Sequence, residues 1–503
     1  MSKFYITTAI AYVNAPPHIG HALEFLQADV LARYHRLKSD DVFFMYGTDE
    51  HGVKVYETAQ KEGMELQPFT DKYAEQFREL KDTFNLSNDH FIRTTEKYHH
   101  LGSQKIWKLM AERGDIYKDK YEGNYCVGCE RFIPEKDLID GKCEIHKTEP
   151  KVLEEENYFF RLSKYSDKIK AVIESGELEV LPENRKKEIL NIIGEDGLYD
   201  VSFSRPKTSL PWGVEVPDDP EHVMYVWCDA LSNYLNGIGY AEESEQFKKY
   251  WPADVHLIGK DILRFHAGIW IGMLMSAGLD LPKAVYAHGF VTSEGQKMSK
   301  SLGNVVNPIE YIEKYGCDAL RYFLLREIPT TDDGDFSHDR FVNVHNSELA
   351  NGMGNLLNRV VVMSEKYLGG LTPEKPENDE DVAGEMQAFL DKAMEGYEKF
   401  DLKGVCETVC GLVSFGNKYI DDKKPWAMAK ENDVDLPVVI YNLIEVLKLV
   451  VLLILPIIPE TAEKIAGAIG VDIKKLDLTY KWGELESGVA LKKGPILFER
   501  IDV

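Results

Sequence analysis

The 503-residue sequence predicts an α/β fold, a Rossmann-type parallel sheet broken by an insertion and followed by an α-helical bundle. Three observations predict it. The chain opens strand–helix–strand, apolar strands of the same kind return far along the chain, and the last third reads as helix after helix. The opening unit is a β-type apolar run from Phe4 to Ala11, a helix from about Gly20 to Ser39, and a second strand from Val42 to Tyr46. Leu23, Leu26, Val30, Tyr34 and Leu37 recur at steps of three and four, one face of a helix. Such a βαβ unit has parallel strands and a right-handed crossover.

Further strands are expected at Val223–Trp227, Val255–Ile258 and Ala284–Ala287, followed at once by Cys228-Asp229, Gly259-Lys260-Asp261 and His288-Gly289. Ligands of an open parallel sheet bind outside the carboxyl ends of its strands, so these loops should converge on one crevice. The expected division is 1–113, first half of the nucleotide fold; 114–221, an insertion; 222–290, the second half; 291–343, a lysine-bearing loop and mixed region; and 344–503, a helical domain with a C-terminal return segment. Its helices fall around Asn346–Tyr367, Glu385–Phe400, Leu402–Ile420 and Leu436–Leu455, with a Pro- and Glu-rich linker between Leu368 and Asp381.

The length suits two to four domains, each with its own core. The N-terminus enters the first strand with no signal- or transit-peptide character. The apolar stretch Val446–Pro459 is interrupted by Lys448 and Pro456 and falls short of the ~20 apolar residues of a membrane span. It is therefore expected to be a buried bundle helix, and the protein to be cytoplasmic, with no membrane partner. Seven cysteines without a secretory signal argue against a disulfide framework, and Cys228, Cys317, Cys406 and Cys410 read as core. The net charge of −25 excludes a general nucleic-acid binder but leaves room for one shaped RNA, met by local patches such as Arg185-Lys186-Lys187 and Lys423-Lys424.

Two motifs carry the chemistry. His18-Ile19-Gly20-His21 sits where the first strand turns into its helix, and a helix start offers free N–H groups and partial positive charge to phosphate. Lys297-Met298-Ser299-Lys300-Ser301 places two lysines three residues apart in a loop between Gly295 and Gly303, as a reaction expelling pyrophosphate requires. Cys126-x2-Cys129 and Cys143-x2-His146, thirteen residues apart, have zinc-ligand spacing. With all four valences filled by protein, that zinc would be structural. In Gly47-Thr48-Asp49-Glu50-His51-Gly52 a carboxylate can hold an ammonium group or simply cap the next helix; the residues alone leave both open.

The two motifs, complete and in this order, resemble those of a class I aminoacyl-tRNA synthetase. Ala9-Ile10-Ala11-Tyr12, Tyr225-Val226-Trp227-Cys228-Asp229-Ala230 and Gly259-Lys260-Asp261-Ile262 through His266 resemble segments of the methionyl-tRNA synthetases, and the likeness runs from Phe4 to about Glu499. The resemblance implies that Asp49 binds the amine and that Ile10, Tyr12, Trp227, Ala230, Tyr234, Ile262 and His266 line a thioether pocket, where Tyr234 and His266 offer weak donors to sulfur. A thioether is polarizable and favourable against aromatic edges. Leu231 stands where familiar relatives have proline. ATP falls to His18, His21, Glu24, Gly259, Asp261 and His288, with Lys297 and Lys300 on the phosphates and Mg2+ offsetting their charge. Asn355, Arg359 and Trp426 resemble the anticodon readers, and Asp333-Gly334-Asp335-Phe336-Ser337 the stem-contact region. The implied partners are methionine and tRNA(Met), the initiator included. The insertion is too short for a hydrolytic editing domain, and the lack of an appended tRNA-binding module favours a monomer. The rival readings are another class I synthetase and a non-catalytic tRNA-binding paralogue.

Overall fold

The computed structural model describes residues 2–126, 131–133, 135, 138–144, 147–194, 197–297, 306–377 and 379–502. Its centre is a seven-stranded parallel sheet. From one edge the strands run Glu179–Leu181, Ala284–His288, Val255–Gly259, Lys3–Thr8 and Asp41–Asp49, the last flanked by the short Ala11–Tyr12 and by His90–Arg93. The apolar run read as Phe4–Ala11 thus breaks after Thr8, and the chain re-enters the sheet at Ala11–Tyr12. The helix between the first two long strands spans Ile19–Leu37 and buries Leu23, Leu26, Val30 and Tyr34 against them.

One expected strand is placed elsewhere. Val223–Trp227 does not join the parallel sheet. The strand there is Asp219–Met224, in a small antiparallel sheet with Ser204–Pro206 and Glu215–Val216, and Val226–Leu231 is helical. Tyr225 caps that helix in extended conformation, so the continuous apolar run spans a change of structure. The edge strand Glu179–Leu181 comes from within 114–221. That segment otherwise carries the long antiparallel pair Ile116–Cys126 and Lys151–Phe160.

The last third is helical, with Asn355–Leu368, Glu380–Glu398, Leu402–Lys423, Leu436–Ile454 and Pro459–Ile469 as its main elements. Leu436–Ile454 is long and apolar enough to span a membrane by length and composition, yet it lies buried among the other helices. A helix apolar all round is the core of a bundle when neighbours cover it. Bundle and sheet are joined through Arg321 and Asp29, both fully buried. Asp29, on the helix after the first strand, accepts from Arg321 Nη2 at 2.8 Å, and Arg321 also donates to the carbonyls of Phe84, Pro456 and Ile457. Removing one partner of such a pair costs about 3–5 kcal/mol.

Candidate active site

At the carboxyl ends of the sheet, His18 caps the Ile19–Leu37 helix from an extended backbone conformation (φ −130°). Its Nδ1 accepts from the Gly20 N–H (3.1 Å), while the His18 N–H donates to His21 Nδ1 (3.3 Å). The two rings stack with centroids 3.9 Å apart. Burial lowers both pKa values, His21 well below the ordinary imidazole value, with His18 beside it adding to the shift. Each neutral ring spends its Nδ1 lone pair on a backbone N–H, so each carries its proton on Nε2. The helix start therefore presents two Nε2–H donors without the desolvation cost of buried charge.

His288 ends its strand with Nδ1 donating to the Gly289 carbonyl (2.7 Å) and Nε2 to Glu24 Oε2 (3.0 Å). Burial alone would lower its pKa; Glu24, with the Gly289 carbonyl and Asp261, together outweigh that and raise it. Gly259 and Asp261 begin the adjoining turn. A further carboxylate ties these loops together. Asp333 holds Lys260 Nζ with both oxygens (2.6 and 2.7 Å) and accepts the Phe290 N–H (2.8 Å). A Cβ on Gly289 would lie 2.1 Å from the Asp332 carbonyl oxygen, so only glycine permits this approach. Two residues on, Asp335 accepts from Thr292 Oγ1 and the Gly295 N–H, both at 2.7 Å, in the hairpin Val291–Ser293/Gln296–Lys297 that leads into the lysine motif. Of Lys297 the backbone alone is described, and Lys300 lies outside the described residues.

Asp49 ends the second long strand, takes the His51 N–H at 3.3 Å and is buried. Its neighbour Glu50 is fixed by Arg93 (2.6 and 2.8 Å), Thr48 and Thr95, and the Glu50 carbonyl by the Trp212 indole N–H (2.7 Å). Ile10 and Tyr12 lie beside this loop, Tyr12 pairing with Asp49 in the sheet. Trp227 stacks face to face on Phe265 at 3.9 Å, with His266 at its edge. Ala230 and the buried Leu231 share the Trp227 helix, and Ile262 the Gly259 turn.

Tyr234 and His266 are brought together and hydrogen-bond to each other. His266 Nδ1 donates to the Ile262 carbonyl (3.0 Å), and burial pulls its pKa to about 4. Its Nε2 is then a lone pair, which accepts the Tyr234 hydroxyl at 2.6 Å. Together they form one aromatic wall.

In the bundle, Asn355 Nδ2 and Arg359 Nη1 both reach Asn417 Oδ1 at 3.3 Å, and Arg359 Nη2 pairs with Asp421 at 2.5 Å. Trp426 is 41% exposed, while Pro425 beside it is buried. Cys126 and Cys143 are buried together beneath Leu138; Cys129 and His146 lie outside the described residues. Sequence reasoning missed Phe265, the buried partners of Asp229, and the tie from Asp333 to Lys260, since none has a spacing signature.

Residues 4–143 and 135–361 match a family model described as tRNA synthetases class I (M), and residues 372–503 one described as the anticodon binding domain of methionyl tRNA ligase. The chain belongs to the methionyl-tRNA synthetase family. It is 47% identical to a methionine–tRNA ligase of Caldanaerobacter subterraneus subsp. tengcongensis and 44% identical to that of Thermotoga maritima, covering 99% of this chain and 79% and 80% of theirs. The solved structure of Mycobacterium tuberculosis methionyl-tRNA synthetase in complex with methionyl-adenylate superposes with a TM-score of 0.94 at 40% identity, covering 99% of this chain and all of that one. As a methionyl-tRNA synthetase it has methionine–tRNA ligase activity.

Proposed function

We propose that methionine is activated in the crevice at the carboxyl ends of the sheet, its amine held by Asp49 and its side chain between Trp227, Ala230 and the Tyr234–His266 wall, with Ile10, Tyr12 and Ile262 completing the pocket. The observation that carries this reading is the pair of Nε2–H donors of His18 and His21 at the helix start after the first strand, which lies next in the sheet to the strand ending at Asp49. The methionine carboxylate attacks the α-phosphorus of ATP in line; the bond to the bridging oxygen breaks and pyrophosphate leaves. No side chain acts as nucleophile. Catalysis is positioning and stabilisation of shifting phosphoryl charge by His18, His21, Lys297 and Lys300. Glu24, Gly259, Asp261 and His288 hold the nucleotide, and Mg2+ accompanies the triphosphate as part of the substrate. The terminal ribose hydroxyl of tRNA(Met), initiator included, then attacks the adenylate carbonyl and releases AMP.

Asn355, Arg359 and Trp426 read the anticodon. An exposed indole on a short rigid helix suits stacking on an unpaired base. The burial of Cys126 against Cys143 fits a tetrahedral zinc completed by Cys129 and His146, which would cross-link the two turns without touching the reaction. Domain limits at 113, 221, 290 and 343, a monomeric state and a cytoplasmic location complete the proposal. Methionine-dependent ATP–pyrophosphate exchange by His21→Ala tests the site. A fall of about 10²–10³-fold in rate with unchanged methionine binding supports it, as expected for loss of one charge-stabilising donor. The parent rate in that variant would remove the role.

A further inference from the structure

The short helix carrying Trp227 and Ala230 also carries Asp229, which is fully buried. Its two carboxylate oxygens are each taken by an imidazole. His51 Nδ1 donates to Oδ2 at 2.5 Å, and His99 Nε2 donates to Oδ1 at 2.6 Å. A carboxylate only accepts, so both ring nitrogens carry protons. His99 Nδ1 accepts from Asn236 Nδ2 (3.2 Å), which fixes its tautomer. Asn236 Nδ2 also lies 2.9 Å from Ser232 Oγ, and Ser103 Oγ and Ser232 Oγ share a hydrogen bond of 2.7 Å. Both serines are buried. A Cβ on Gly102 would lie 1.8 Å from Asn236 Oδ1, so glycine there lets the His99 helix press against the cluster.

This arrangement joins the two halves of the amino-acid site. His51 follows Asp49 by two residues, and its backbone N–H lies on the Asp49 carboxylate. The His51 ring is further boxed by Trp212 at 5.5 Å and His100 at 5.4 Å. One buried carboxylate therefore pins the loop bearing Asp49 to the helix bearing Trp227 and Ala230, while His99 anchors both to the Lys97–Glu112 helix behind them.

We propose that Asp229 is a positioning residue for the amino acid, setting the span between the amine-binding carboxylate and the aromatic pocket wall through its bonds to His51 and His99. This inference rests on the assignment of Asp49 and Trp227 given above. It makes Asp229 a determinant of which side-chain length fits, although it touches no substrate.

The amide in Asp229→Asn can accept from only one imidazole, and its NH2 opposes the other ring's N–H. Loop and helix then lose their common anchor. Initial rates of ATP–pyrophosphate exchange should be measured for the parent, Asp229→Asn, His51→Gln and Asp49→Asn, with methionine and ATP varied separately. Thermal melting should be followed in parallel. Asp229→Asn should raise the methionine KM at least tenfold, leave the ATP KM within twofold, and narrow the preference for methionine over ethionine, which is longer by one methylene. His51→Gln should do the same to a smaller degree, and keeps the inference testable if Asp229→Asn does not fold. A general structural defect would instead move both KM values together, and that result overturns the proposal. So does an unchanged methionine KM in the Asp229→Asn or His51→Gln protein while Asp49→Asn shows the expected rise. If Asp49→Asn itself leaves methionine binding unchanged, the amine assignment fails and this inference falls with it.

Discussion

Asp333 offers the sharpest test of how the nucleotide loops are held. Changing it to alanine removes two bonds to Lys260 Nζ and one to the Phe290 N–H. The side chains of Lys260 and Asp333 are 23% and 45% exposed, so solvent screens the ion pair to the ~0–1 kcal/mol of a surface pair. The Phe290 N–H bond to a charged acceptor adds about 1.5–3 kcal/mol before the same screening. The fold should lose about 1–3 kcal/mol, too little to unfold a large chain. The loops that lose their tie are those of Asp261 and His288, while Asp49 and Trp227 are held elsewhere. In methionine-dependent exchange, the ATP KM should therefore rise about tenfold, equivalent to about 1.4 kcal/mol, with the methionine KM within twofold. Asp333→Asn, which keeps an acceptor for Phe290, should fall between, and added salt should weaken the parent toward it. Burial would raise the Asp333 pKa, but Lys260 and the Phe290 N–H together lower it. A depressed carboxylate pKa gives stability that is present above the ordinary Asp value and is lost as pH falls through the lowered one, so the tie should hold throughout the neutral range. Equal rises in both KM values, or none in a folded Asp333→Ala protein, would show that Asp333 does not hold the nucleotide loops.

Other expectations concern the lysine loop, the 114–221 segment and the helical bundle. Lys300→Ala should leave methionine binding near normal and slow adenylate formation about 10²–10³-fold, and an unchanged activation rate would remove the loop's role. Cys126→Ser should release metal and loosen the 114–221 segment while sparing the ATP crevice; elemental analysis of the parent should find about one zinc per chain, and a metal-free, fully active preparation would contradict this. Trp426→Ala should weaken tRNA charging about ten- to a hundredfold, equivalent to ~1–3 kcal/mol of stacking, with exchange unaffected. Charging at the parent rate by a folded variant would exclude the stacking role.

The sequence signals that proved legible were local ones. The Ile19–Leu37 helix has its apolar stripe and its capping histidines within a few turns, and the strands at Val255 and Ala284 are short apolar runs closed by glycine. Val223–Trp227 failed because a buried antiparallel strand running into a buried helix gives one continuous apolar run, in which periodicity marks no boundary. The His51–Asp229–His99 cluster was not legible because its members lie 178 and 130 residues apart, and only the tertiary fold brings them together. The Tyr234–His266 bond escaped for a different reason. Nothing in the sequence marks which His266 nitrogen carries the proton; burial leaves the ring neutral, and its Ile262 bond makes Nε2 an acceptor.

The crevice is proposed to activate methionine with ATP. The most direct test is amino-acid-dependent exchange of pyrophosphate into ATP by the purified chain, run across methionine, leucine, isoleucine, valine and cysteine without tRNA. Rapid exchange is expected with methionine, and at least tenfold lower kcat/KM with each of the others. Exchange that favours a different amino acid, or no exchange with any of them, would contradict it.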